Sequence, residues 1–256
     1  MAAGGERYTR RDTMDILGWA FLVVLGVLAL SAVAITVAAL WEKQRVRPFA
    51  PAESGGVLAE PTPYLLAQER SAEASGLTRC GSFGDTRGGL YRLRVSLWVD
   101  DDARTLAVIG GGTIARTPFR RTMLLSRLDD GRVLYTVDEF EGKDLSGLYD
   151  AKVLMNADLV ELWSAHQQRL AGSGTAARRL DPRNALAELD AVESERLRLL
   201  LDRGLARWVD ISRGTWRFSV KGAFLMGTLG FLGQLALGFE QQERTKLKRP
   251  GAGGGR

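Results

Sequence analysis

The chain is predicted to be an α+β protein held at a membrane. It should have an N-terminal transmembrane helix, an antiparallel β-meander, amphipathic helices after the meander, and a second transmembrane helix near the C-terminus. Three observations predict this. Residues 16–40, ILGWAFLVVLGVLALSAVAITVAAL, carry no charge. Between 90 and 155, short alternating apolar runs are separated by turn residues. Beyond 157 the apolar period changes from that of a strand to that of a helix.

Residues 1–14 form a basic tail containing Arg7, Arg10 and Arg11. The first transmembrane helix is assigned to 15–41. As a helix its apolar run is about 37 Å long, enough for a hydrocarbon core of about 30 Å. Only a helix satisfies its own backbone polar groups in lipid. Trp19 and Trp41 stand near the two ends, where amphipathic rings favour the interface. Ala32-Val33-Ala34 resembles a signal-peptide cleavage site. The apolar run is longer than a cleaved leader needs, so an uncleaved anchor is expected.

Residues 42–88 read as a linker, with Pro48, Pro51, Pro61 and Pro63 among small and polar residues. A short helix from Tyr64 to Ala74 fits inside it, and 79–89 reads as irregular. The α+β domain is placed at 89–210, with strands in 90–155 and helices in 157–208. Tyr91, Leu93, Val95, Leu97 and Val99 alternate with polar residues and Trp98, the pattern of a half-buried strand. Strands near 104–109, 122–128 and 132–138 follow, and 149–155 adds a fifth. Asp129-Asp130-Gly131 marks a hairpin. Short turns imply antiparallel pairing, with the helices on one face of the sheet. Asp158 and Glu161 form a capping box for the first helix. Asp181-Pro182 reads as an N-cap and first position for the second.

Residues 219–239 are the second transmembrane helix, preceded by Trp208, Trp216 and Phe218 as interface anchors. Gly227, Gly230 and Gly233 recur every three residues and are candidate helix-packing glycines. A basic tail, 240–256, closes the chain. With two crossings both tails share a side, and their basic residues favour the cytoplasm of a bacterial-type inner membrane or its equivalent.

The chemistry signals are sparse. Gly110-Gly111-Gly112-Thr113-Ile114-Ala115 fits the dinucleotide spelling G-x-G-x-x-A. However, Pro118 and a strand near Thr122 leave no room for the helix that the fingerprint opens. A glycine bulge or an irregular connection at a sheet edge is expected there, with no cofactor. One cysteine and one histidine cannot furnish a Cys/His metal site. Asp100–Asp102 and Asp129–Asp130 read as two solvated turns rather than a calcium site. His166 reads as a packed residue of an amphipathic helix. Arg79 beside Cys80 would lower the thiol pKa, set against the plainer reading of an incidental thiol. Arg92, Arg94, Arg120 and Arg121 are candidates for an anion or lipid-headgroup surface.

The 35 basic and 30 acidic residues give a net charge of +5. The basic residues are spread along the chain and spell no nucleic-acid-binding motif, so nucleic acid is not an expected partner. The expected partners are the lipid bilayer and protein partners, or further copies of the chain, through the transmembrane helices. The expected function is a non-catalytic interaction, sensing or assembly module. Two alternatives stay open: a membrane-surface enzyme using dispersed carboxylates and arginines, and a small accessory subunit of a transport complex using Gln234.

Overall fold

The computed structural model describes residues 9–41, 43–45, 50–51, 60–85, 91–114, 116–139 and 144–229. Gly230, Gly233, Gln234 and the basic tail 240–256 lie outside the described residues. Helix α1 (Thr9–Trp41) covers the apolar run. Among the described residues, no helix is long and apolar enough to cross a membrane. Several side chains of the run, those of Ile16 and Leu17 among them, lie outside the described residues. The expectation of transmembrane helices finds no support among the described residues.

A seven-stranded sheet forms the middle of the domain, ordered β2 (Ala50–Pro51), β3 (Thr78–Asp85), β4 (Tyr91–Val99), β5 (Leu106–Ile114), β6 (Thr117–Arg127), β7 (Val133–Val137) and β8 (Tyr149–Val153). The pairs from β2 to β7 are antiparallel. Strand β8 runs parallel to β7, with Val133 opposite Tyr149. The meander reading missed this reversal because the connection 138–148 is too long for a hairpin. The chain returns beside the start of β7, where both oxygens of Asp144 accept from the Ser146 and Tyr149 N–H groups.

Strand β3 lies where an irregular linker segment is expected. Its sequence, TRCGSFGD, has little apolar alternation, and it is held by its ladder to β4. The short helix α2 (Pro63–Ala74) forms as expected: Thr62 Oγ1 accepts from Leu65 N at 3.2 Å, and Pro63 occupies the first turn.

Helices cover both faces of the sheet, a correction to the one-face expectation. Leu97, Val99, Val108, Leu125 and Val137 pack toward α4 (Ala185–Asp202) through Leu189 and Val192. On the other face Trp98, Ala107, Ile109 and Leu124 pack toward α2 and toward α3 (Leu159–Gly172) through Leu65 and Leu162. The polar alternate of β4 is buried as well. Ser96 is fully covered and accepts from Trp98 Nε1 at 2.9 Å. A buried hydroxyl with a partner costs little, so alternation alone could not distinguish a covered polar face from a solvated one.

The three-glycine stretch is also corrected. Gly110, Gly111 and Gly112 lie inside β5, paired to β4 and β6 without a register shift. They form no bulge and no edge connection. At Gly111 the missing side chain makes room for α2. A Cβ on Gly111 would stand 2.6 Å from Thr62 Oγ1 and 3.2 Å from Leu65 Cβ.

Beyond α4 the expected helix gives way to β9 (Ala206–Asp210) and β10 (Thr215–Phe218). Strand β10 pairs with β9 on one side and on the other with β1 (Gln44–Arg45), directly after α1. Trp216 and Phe218, expected as interface anchors, are buried and meet edge to face at 5.3 Å. Trp208 is part-exposed on β9. The signal here is short: two runs of four or five residues around a turn with Gly214 at positive φ. Residues 220–229 are helical and pack back on the end of α1, where Ala223, Met226 and Leu229 join Ala39 and Leu40 in one cluster.

Candidate functional site

A cleft of about 500 Å³ opens where α2, the start of β6, the end of β7 and the N-terminus of α3 meet. Its floor is a hydrogen-bonded triad. The Tyr64 hydroxyl donates to Asp138 Oδ2 at 2.6 Å and lies 2.7 Å from Thr122 Oγ1. Asp138 Oδ1 accepts from the Thr122 N–H at 3.0 Å. Local sequence explains the placement. The Thr62 cap and Pro63 start α2 so that Tyr64 falls in its first turn, and Asp138 follows β7 directly opposite Thr122.

Asp138 is only 8% exposed. Burial pushes its carboxyl above the usual range, opposed by the Tyr64 hydroxyl, the Thr122 N–H and the Arg121 charge. Burial and the Asp138 hydrogen bond push the Tyr64 phenol up as well. The walls carry Arg120, Glu139 and Asp158 as charged groups and Pro118, Phe119 and Met155 as apolar ones. Arg120 lies over the Tyr64 ring, 5.8 Å from its centroid. Gln68 closes the inner end, its Oε1 accepting from Leu159 N at 2.9 Å.

The structure separates the four arginines read as one surface. Arg94 pairs across β5 through Gly111 to Arg120, so Arg92, Arg94 and Arg120 share the α2 side of the sheet. Arg121, one residue on, projects to the other side and lies over Phe119 at 5.2 Å.

A second polar cluster is sealed in the core. His166 Nε2 lies 2.9 Å from Ser126 Oγ, and Nδ1 lies 2.9 Å from Thr136 Oγ1. Thr105 Oγ1 extends the chain to Ser126, and Arg169 donates to Thr136 Oγ1. A Ser–His pair has the geometry of an activated nucleophile. Here Ser126, Thr136 and His166 are fully buried, so no substrate can reach them. Burial, aided by the Arg169 charge, lowers the His166 pKa to about 3 and keeps the ring neutral. The cluster ties α3 to β6 and β7.

The remaining candidates are structural. Asp100 Oδ1 caps its own turn by accepting from Arg104 N and Thr105 N. Asp130 binds Arg132 at 2.7 Å, and Asp129 faces Arg178. Among the described residues, no three potential metal ligands come together. Cys80 is half-buried, and desolvation raises its pKa to about 11, opposite to the lowering that Arg79 would bring. At Gly227, an added Cβ would stand 2.7 Å from the Ala32 carbonyl oxygen and would collide with the Thr36 hydroxyl.

Sequence reasoning singled out Arg120 but not Tyr64 or Asp138 as parts of a site. Their signal exists only once α2 is laid over β5. No family model, curated protein or solved structure matches the chain.

Proposed function

We propose that the chain is an integral membrane protein of two packed helices, α1 and a helix over 219–239, whose α+β domain is a non-catalytic interaction, sensing or assembly module. The approach at Gly227 carries this reading. The backbones of the segment 220–229 and α1 come together at a spacing that leaves no room for a side chain at that position. Close packing through small residues is how helices associate in lipid, where no hydrophobic drive acts between them.

Further features support the membrane setting. Leu22, Val23, Val27, Leu30 and Val33 of α1 are exposed, a stripe that lipid would cover. Ser31 and Thr36 donate to the carbonyls of Val27 and Ala32, so their hydroxyls are satisfied within the helix. Pairing of β1 with β10 clamps the two helices where they meet the domain. The non-catalytic part of the reading draws on the sealing of the Ser126–His166 pair. A membrane-surface enzyme is the second reading, favoured by a carboxyl of raised pKa, Asp138, lining an open cleft beside Arg120.

The test combines alkaline extraction of membranes with topology reporters at each terminus. The chain should stay in the pellet with both ends on the cytoplasmic side. Recovery in the supernatant, or ends on opposite sides, would overturn the two-helix anchor.

A further inference from the structure

The cleft beside Tyr64 is lined by charges of both signs. Among the described residues, Arg120 makes no ion pair, and its guanidinium lies over the Tyr64 ring. Glu139 and Asp158 line the same space and form no ion pair among the described residues, although Asp158 also accepts from the Glu161 N–H as the cap of α3. A wholly cationic ligand would meet Arg120, and a wholly anionic one would meet the carboxylates. A ligand carrying both charges meets neither penalty.

A second observation comes from Gln68. It is more than nine-tenths buried and lines the cleft, and its Oε1 is engaged by Leu159 N. Its amide nitrogen has no acceptor among the described residues. Where Gln68 lines the cleft, its amide can donate to a ligand carboxylate. Pro118 and Met155 give an apolar wall for a hydrocarbon side chain. A volume of about 500 Å³ is that of a small-molecule site.

We propose that this cleft binds a small zwitterion of the amino-acid class. The ligand carboxylate faces Arg120 and the Gln68 amide, the ammonium faces Glu139 and Asp158, and the side chain lies along Pro118 and Met155. This deepens the sensing part of the proposed function and rests on it only in treating the cleft as a recognition site rather than a reaction site.

The test is calorimetric titration of the full chain in mild detergent with L-leucine, N-acetyl-L-leucine and L-leucinamide. L-Leucine should bind saturably, with each singly charged analogue weaker by about tenfold or more. Arg120→Gln should weaken L-leucine by about tenfold while leaving L-leucinamide within about threefold. Glu139→Gln should weaken L-leucine and spare N-acetyl-L-leucine. Both residues are exposed, and unchanged unfolding midpoints would show that the variants fold. Binding of either analogue as tightly as L-leucine would overturn the proposal. So would the absence of saturable binding of L-leucine, L-methionine and L-phenylalanine up to about 10 mM. Recovery of chemically altered leucine would leave the ligand class standing and overturn the non-catalytic reading. Recovery of unaltered leucine supports both.

Discussion

Gly111→Ala tests how α2 is seated on the sheet. The added methyl would stand 2.6 Å from Thr62 Oγ1 and 3.2 Å from Leu65 Cβ. Neither is the free end of a flexible chain, because Thr62 caps α2 and Leu65 is fully buried. Overpacking of this kind costs about 1–3 kcal/mol, and a weakened cap about 1 kcal/mol more. Alanine recovers roughly 0.5–1 kcal/mol over glycine within a strand. The net is a loss of about 2 kcal/mol, which moves a urea midpoint by about 1 M. The assay is urea unfolding of the full chain in detergent, followed by tryptophan fluorescence, to which buried Trp98 contributes. Gly110→Ala is the control. Its methyl would make ordinary contacts with Phe119 at 3.4 Å and Val95 at 3.5 Å, and its cost should stay within about 0.5 kcal/mol. Thr62→Gly removes the closest clashing atom and should cut the cost of Gly111→Ala by about 1 kcal/mol. Equal effects of Gly110→Ala and Gly111→Ala would refute this reasoning. So would saturable binding of NAD or FAD that Gly111→Ala abolishes.

Four further outcomes are expected. His166 has a folded pKa of about 3, below its unfolded value, so its contribution to stability is present at neutral pH and is lost as pH falls below about 6.5. Between pH 7.5 and 5.0 this amounts to about 2 kcal/mol, and the stability difference between wild type and His166→Asn should shrink by that amount; a constant difference would contradict it. Tyr64→Phe should cost about 1–3 kcal/mol, more at pH 7.5 than at 4.5, because the ionised Asp138 loses a donor that the protonated acid needs less; an equal cost at both pH values would speak against a charged carboxylate there. Cys80 should react with iodoacetamide at pH 7.5 more than about tenfold slower than a free thiol; labelling at the free-thiol rate would contradict its burial. Gly227→Leu should lower the thermal midpoint in detergent and drive the two helices apart, with a cost of about 1–3 kcal/mol; a neutral result would mean that the helices do not depend on this contact.

Features written in contiguous residues were legible from the sequence. The Asp158 cap of α3 and the Asp129-Asp130-Gly131 hairpin each carry their chemistry within four residues, and each forms. Strand β3 and the β9–β10 hairpin were not legible, because their stability comes from ladders to residues far along the chain. The cleft illustrates the same limit. Tyr64, Thr122 and Asp138 are separated by 58 and 74 residues, measured from Tyr64. Nothing in their local sequence distinguishes them from a helix tyrosine, a strand threonine and a turn aspartate. They meet because β5 presents a bare backbone at Gly111, which lets the first turn of α2 lie close enough for the Tyr64 hydroxyl to reach Asp138. The spelling that resembled a phosphate loop thus seats a helix instead, and through that helix it shapes the cleft. Gly111→Ala should therefore weaken L-leucine binding as well as the fold, whereas Gly110→Ala should change neither. Loss of stability in Gly111→Ala with leucine affinity intact would break the link between the glycine stretch and the cleft.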